Sequence, residues 1–499
     1  MYRLPSSRST GRVFMALAAL ASISLTIGCG SGSSVIVKGG FSKASLKGTY
    51  SFTVKGYGFN NGTTATANFF VEGGVLTADG NGTITAATED RVEVVGSTTQ
   101  SFSDSNLTGT YSINKDGTGD LTLKFSNGGS EQFRITLSDT GHLFMEEDDT
   151  FGTSAGSAYL QTSTATPNGT FVFRTHDVQV SATMGLMVIS AGALSGSYEM
   201  VQNGTATTGS IGAGGSMTAP ASGRGQVTYS VNGVTHTAEY YVVSASKFLL
   251  LDTTTNILSI GMAEQQSNIT FSATSLSGSY AFGSSGETAI AFVNTVGVFT
   301  TDGISQVTAA NYDSVQDAIV SSNQTATGTY LIDNLFGNGS GTFTVGGVTR
   351  DIWMVSPARA YFITFNAGNV EDGTIDQQSG TFTNTSLNTQ AAFFMDGFDA
   401  TGVDGLFKDR VGTLVPSGTN SLGTNYVASF FDFNVLGGGA SSNAFSGTYS
   451  VASNGRTTTR LSGFTNNIVL YLTTSNTGYM LQADSGVNMS GGFTAQLSP

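Results

Sequence analysis

The 499-residue sequence contains a single cysteine, Cys29, so no disulfide can form within the chain. Any fold must rest on apolar cores alone, which is feasible for units of about 110 residues. Charge is also scarce: charged residues make up 11% of the chain, against about 25% in ordinary soluble proteins. There are 6 prolines, one tryptophan and three histidines, but 66 glycines. The polar surface must therefore be built from Ser, Thr, Asn and Gly, a mixture suited to strands and turns rather than helices.

Three of the 20 basic residues fall within the first twelve positions. Arg3, Arg8 and Arg12 precede an uncharged run from Val13 to Gly28, the layout of an export signal. The run is short and rich in small residues for a membrane span. Removing residues 1–28 leaves 20 − 3 = 17 basic residues against 34 acidic ones, a net charge of −17. A surface of that sign repels phosphate backbones, so nucleic acid is not an expected partner.

Short patterns return at domain-sized intervals. Gly109-Thr110-Tyr111, Gly215-Ser216-Met217, Gly328-Thr329-Tyr330 and Gly447-Thr448-Tyr449 each run into a glycine-rich turn. Their glycines are 106, 113 and 119 residues apart. An opening marker precedes each: Gly48-Thr49-Tyr50, Gly169-Thr170-Phe171, Gly278-Ser279-Tyr280, and a degraded Leu387 to Phe393. A closing marker follows at His142 to Met145, Lys247 to Leu250, Ala360 to Ile363 and Tyr479 to Gln482. Such long spacing makes each copy a complete domain, not one layer of a solenoid. The organisation expected is a signal segment 1–28, a glycine–serine tether 29–44, and domains at 45–162, 168–266, 275–378 and 386–499.

Inside the first domain the hydrophobic period is two. Tyr50, Phe52 and Val54 alternate with polar residues, as do Leu121, Leu123 and Phe125, and Phe133, Ile135 and Leu137. Turn signals separate these series, among them Asp79-Gly80-Asn81-Gly82 and Asp116-Gly117. Eight strands are predicted at 47–57, 66–77, 82–95, 106–114, 119–126, 131–138, 142–147 and 156–162. The fold class is all-β, with tandem antiparallel meanders; each closes as an up-and-down barrel, the favoured form, or folds as a two-sheet sandwich.

Three resemblances attach to these residues. The end Leu25-Thr26-Ile27-Gly28-Cys29 resembles bacterial lipoprotein signals, although Thr26 stands where leucine is usual. That resemblance implies cleavage before Cys29, lipidation of Cys29 and, with Gly30 following, the outer membrane or cell surface of a Gram-negative bacterium. The Gly-x-aromatic opening looks like that of the lipocalin and avidin groups, without their tryptophan. The tandem units behind a lipoprotein-like signal are similar to multi-repeat exported proteins of soil bacteria such as the Acidobacteria, a resemblance that implies no activity.

Candidates for chemistry are sparse. His142 is replaced by Lys247, Ala360 and Tyr479 in the other copies, which excludes a histidine chemistry shared by the repeats; all three histidines are assigned structural or surface roles. Glu146-Glu147-Asp148-Asp149 and Glu371-Asp372 with Asp376 read as solvated turns: adjacent strand residues point to opposite faces, and no EF-hand spacing is present. Pairs such as Tyr240-Tyr241 and Phe393-Phe394 place one ring on each strand face, leaving some rings exposed. No catalytic, cofactor-binding or metal-ligating residue is assigned, and no cofactor is expected. The function expected is a non-enzymatic cell-envelope lipoprotein whose four β repeats act as a surface, spacer or adhesion-type module. The alternative is a β-barrel binding protein for a small apolar ligand or glycan. Possible partners are therefore the membrane, through the lipid anchor, and a glycan, an apolar ligand or a protein.

Overall fold

The computed structural model describes residues 40–59, 67–95, 97–148, 152–177, 181–288, 292–316, 319–333, 337–364, 369–399, 406–432, 438–461 and 467–497. Segment 1–28, Cys29 and the tether as far as residue 39 lie outside them. The fold is all-β: four antiparallel eight-stranded barrels in tandem, each closed by pairing of its first and last strands. No α-helix occurs among the described residues.

In barrel 1 the strands are Lys47–Phe59, Ala67–Asp79, Thr83–Val95, Thr98–Ile113, Thr118–Lys124, Ser130–Leu137, His142–Glu147 and Gly152–Leu160. The alternation predicted from the sequence points inward. Tyr50, Phe52, Val54, Leu121, Leu123, Phe133 and Ile135 all belong to one packed interior cluster. Each such side chain contributes about 1.5–3 kcal/mol on burial, and comparable clusters fill the other three barrels. The fourth strand starts eight residues earlier than predicted. Thr98 to Ser105 carries no apolar alternation and is mostly exposed; it is held extended by pairing with Thr88 to Val95 in a projecting ribbon. Asn106, at φ 61°, then marks a bulge where the ribbon enters the barrel.

The repeated tyrosine has a mechanical explanation. Single 3-10 turns at Lys43–Ser45, Ala273–Ser275 and Asn384–Ser386 sit at the mouths of barrels 1, 3 and 4. The Tyr111 hydroxyl donates to the carbonyls of Lys43 at 3.0 Å and Leu46 at 2.8 Å. Tyr330 donates to Ala273, and Tyr449 to Asn384 and Leu387. The glycine two residues before each tyrosine permits a strand crossing: a Cβ on Gly109 would lie 2.0 Å from the Thr122 carbonyl oxygen.

The four barrels form a closed ring. Apolar clusters join barrel 1 to 2, 2 to 3, 3 to 4 and, through Phe144, Ala392, Val411 and Phe394, barrel 4 back to 1. The outward rings of the aromatic pairs are thereby covered. Tyr240 and Tyr241 are both fully buried, one inside barrel 2 and one against barrel 1. The expected exposure fails there because the second face of the strand meets a neighbour instead of water.

One device recurs at every junction. Just beyond each last strand a glutamine amide donates to two carbonyls of the next barrel: Gln161 to Val242 and Ser222, Gln266 to Met354 and Asn338, Gln378 to Leu472 and Asn454. Gln496 does the same to Leu137 at 2.6 Å and Asp116 at 2.9 Å, and so closes the ring. The backbone N–H one residue later repeats the pattern, with Thr162, Ser267, Ser379 and Leu497 donating to Val243, Val355, Thr473 and Ser138. Heterologous head-to-tail contacts of this kind close into a ring when the rotation between units is right.

Candidate functional site

Ring closure brings one position of all four first strands together. Lys55, His176 and Ser285 each lie seven residues beyond the opening glycines Gly48, Gly169 and Gly278, and Asp396 holds the same place relative to Leu387 as Lys55 does to Leu46. All four line a single cavity of about 60 Å³, with Thr153, Asn294 and Asp409 from neighbouring strands and Tyr57, Phe69 and Phe292 as its apolar wall. A space of that size admits a few waters or a small polar group, whereas pockets for drug-sized ligands run to about 300–1,000 Å³.

Its polar groups bridge the barrels. Lys55 Nζ lies 3.0 Å from Asp396 Oδ2, joining barrels 1 and 4. Thr153 donates to Asp409 Oδ2 at 2.6 Å across the same junction. Burial pushes the Asp409 carboxyl up to about 8, helped by Asp396 and opposed by the Thr153 hydroxyl and Lys55. His176 Nδ1 lies 2.6 Å from Asp372 Oδ1, and Arg174 Nη1 lies 2.8 Å from Asp372 Oδ2, linking barrels 2 and 3. Asn294 Nδ2 donates to Asn488 at 2.5 Å, linking 3 and 4.

His176 is thus oriented by a carboxylate in a cavity that also contains Ser285. Nucleophilic catalysis requires hydrogen-bond contact between hydroxyl and imidazole; among the described residues no hydrogen bond joins Ser285 to His176. His142 is on the outer face of barrel 1, toward barrel 2, bonded to Ser138 and stacked on Tyr159, with burial and then Lys247 pushing its imidazole down to about 3. His236 is paired with Asp252 at 2.5 Å and stacked on Tyr229.

The carboxylates expected in solvated turns are not solvated. Glu146, Glu147, Glu371 and Asp372 are all buried. Glu146 accepts a bond from the Val411 N–H of barrel 4, and burial, then Asp409, raises its carboxyl well above the ordinary value. Glu371 accepts from Ser284 and Thr364. Asp149 lies outside the described residues. The strand ends carrying these runs face a neighbouring barrel or the barrel interior, which the linear pattern cannot reveal.

Two further junction residues were not singled out from the sequence. Asp90 receives Arg224 at 2.7 Å through both Nε and Nη2, and Tyr241 at 2.8 Å. Asp313 receives Arg456 at 2.7 and 2.8 Å and Tyr471 at 2.6 Å. The 1–2 and 3–4 junctions therefore share an Asp–Arg–Tyr clamp. At 2–3 the register places Ser340 and Trp353 where Arg224 and Tyr241 stand, facing Glu199. Burial, then Asp351, pushes Glu199 up to about 8.

No family model matches the chain, and no curated protein matches it. Among solved structures it is similar to intact Ap-TbpB, N and C lobes, at 9% identity and a TM-score of 0.17, covering 66% of this chain and 75% of that one.

Proposed function

We propose that the chain is an exported, non-enzymatic cell-envelope lipoprotein, anchored through Cys29, whose four barrels serve as a rigid ring-shaped surface module. The observation that supports this reading best is the repeated junction. Glutamine locks, Asp–Arg–Tyr clamps and buried cross-barrel carboxylates place charged and amide groups, scarce in this chain, where they hold the barrels together. The repeated GTY tyrosines are likewise spent, on the barrel mouths. A protein partner or glycan would meet the outer surface of the ring and its projecting ribbons, where Phe102 is 41% and Ile319 70% exposed. The packed interiors weigh against an apolar ligand inside a barrel, since a filled barrel offers no room for one.

The test is anchoring and display. Metabolic labelling with a clickable fatty acid should mark the wild-type chain but not C29S, and protease on intact cells should shave the displayed ring. A soluble, unlabelled wild-type chain would sink the lipoprotein reading.

A further inference from the structure

Barrel 1 differs from its three siblings in what it buries. Strand register puts Glu72 opposite Arg91, Glu89 opposite Gly74, Glu131 opposite Leu123 and Glu147 opposite Phe133. Period-two alternation from the packed Leu76, Leu121 and Phe133 sets all four carboxylates on the inner face. All four are buried, with Glu72 fully so. Arg91 is the cation among them, 3.5 Å from Glu72 and 3.9 Å from Glu131, and it also holds Glu93 at 3.0 Å beneath the Phe70 ring.

Arg91 is shared by Glu72, Glu93 and Glu131, and one guanidinium cannot balance all three. An isolated buried carboxylate is costly unless it is protonated, paired or coordinated. Oxygens of Glu72, Glu89 and Glu131 lie within 4.8 Å of one another. Both Glu72 oxygens and Oε2 of Glu89 have no hydrogen-bond donor, although Glu72 is fully enclosed. The other barrels show how such a site is filled when it has only a structural task. By the same register Glu72 is replaced by Thr183, Thr295 and Arg410, and Arg410 Nη1 donates to Gln482 at 2.5 Å.

We infer that the interior of barrel 1 binds one divalent cation, calcium by the character of its ligands, through Glu72, Glu89 and Glu131. Calcium takes carboxylate oxygens at about 2.3–2.6 Å, so two ligand oxygens on opposite sides of the ion stand nearly 5 Å apart, matching the observed cluster. Glu147 completes the anionic wall. Because the ligands come from three strands of one closed barrel, binding is coupled to the folding of that barrel.

The test uses the full chain, stripped with chelator and titrated with calcium chloride in a calorimeter, with thermal unfolding followed in parallel. One calcium per chain and a raised melting temperature are expected. E72Q and E89Q, each isosteric, should weaken binding about 10-fold or more. Calcium-free E72Q should melt no lower than calcium-free wild type, since it removes an uncompensated buried charge; this separates ligand loss from misfolding. E371Q, whose carboxylate serves barrel 3, should bind calcium as wild type does. Absence of binding in the wild type, with excess charge neutralised by protons instead, would overturn the inference, as would calcium binding undiminished in both E72Q and E89Q.

Discussion

Replacing Gln496 by alanine probes ring closure at its only junction with no covalent link between the barrels. The side chain is 7% exposed and donates to the carbonyls of Leu137 at 2.6 Å and Asp116 at 2.9 Å. A net contribution of about 0.5–1.5 kcal/mol per bond gives a cost of about 1–3 kcal/mol for the pair. At the midpoint, ~2 kcal/mol, the open junction becomes about 30-fold more populated. Hydrogen exchange reads this locally, because the Leu497 N–H donates to the Ser138 carbonyl at 2.8 Å. An amide beyond the last strand, outside its ladder, exchanges freely unless it is docked. The wild-type Leu497 amide should be protected, and Q496A should lose about 30-fold of that protection. Q266A, at a junction whose barrels are consecutive in the chain, should affect the Ser267 amide to a similar extent. A Leu497 amide that exchanges freely in the wild type, beside a protected Ser267, would refute the reasoning: barrel 4 would then not dock on barrel 1.

The 3–4 and 2–3 junctions give opposite pH dependences. Burial alone would raise the Asp313 carboxyl, but bonds from Arg456, Ser322 and Tyr471 hold it below its ordinary value. Its stabilisation is therefore complete above about pH 4 and is lost as pH falls through the lowered value; D313N should destabilise the 3–4 junction by about 3 kcal/mol at pH 7 by chemical denaturation. Glu199 is raised to about 8, so the folded state holds its proton more tightly than the unfolded one. Stability falls as pH rises from about 4.3 to about 8, and E199Q should flatten that part of a melting-temperature profile. Y111F removes the hydroxyl that ties down the Lys43–Ser45 turn and should cost about 1 kcal/mol, read as faster exchange at the Leu46 amide, which bonds the Lys43 carbonyl. G156A would place a Cβ 2.0 Å from the Thr53 carbonyl oxygen, whereas G212A meets nothing within 4 Å; G156A should lower the melting temperature by several degrees more than G212A does.

Alternation and turn chemistry made the barrels legible. Strand positions in the first unit follow from Tyr50-Phe52-Val54 and its counterparts, and the glycine turns occur as read, with Asp79 Oδ1 accepting from the Asn81 and Thr83 amides across Gly80 and Gly82. The period of two identifies an inner face without saying what covers the outer one. Runs apolar on both faces, Tyr240 to Val243 and Phe248 to Leu251, carried that information, because a continuous apolar strand is one buried twice. A fourth repeat marker also went unread: Gly156, Gly261, Gly373 and Gly491 each precede a locking glutamine by five residues. Glutamine draws no notice as chemistry, and its value appears only when the next barrel's carbonyls are in place. The central cavity was illegible for the same reason, since Lys55, His176, Ser285 and Asp396 share a repeat position but no chemical type.

Small-angle X-ray scattering on residues 40–499 tests the ring most directly. A compact body of this length has a radius of gyration of about 23 Å, whereas four globules of about 13 Å each strung in a row give about 40 Å. The closed ring predicts the smaller value, unchanged by dilution. A value near the larger one would contradict it and return the four barrels to independent beads.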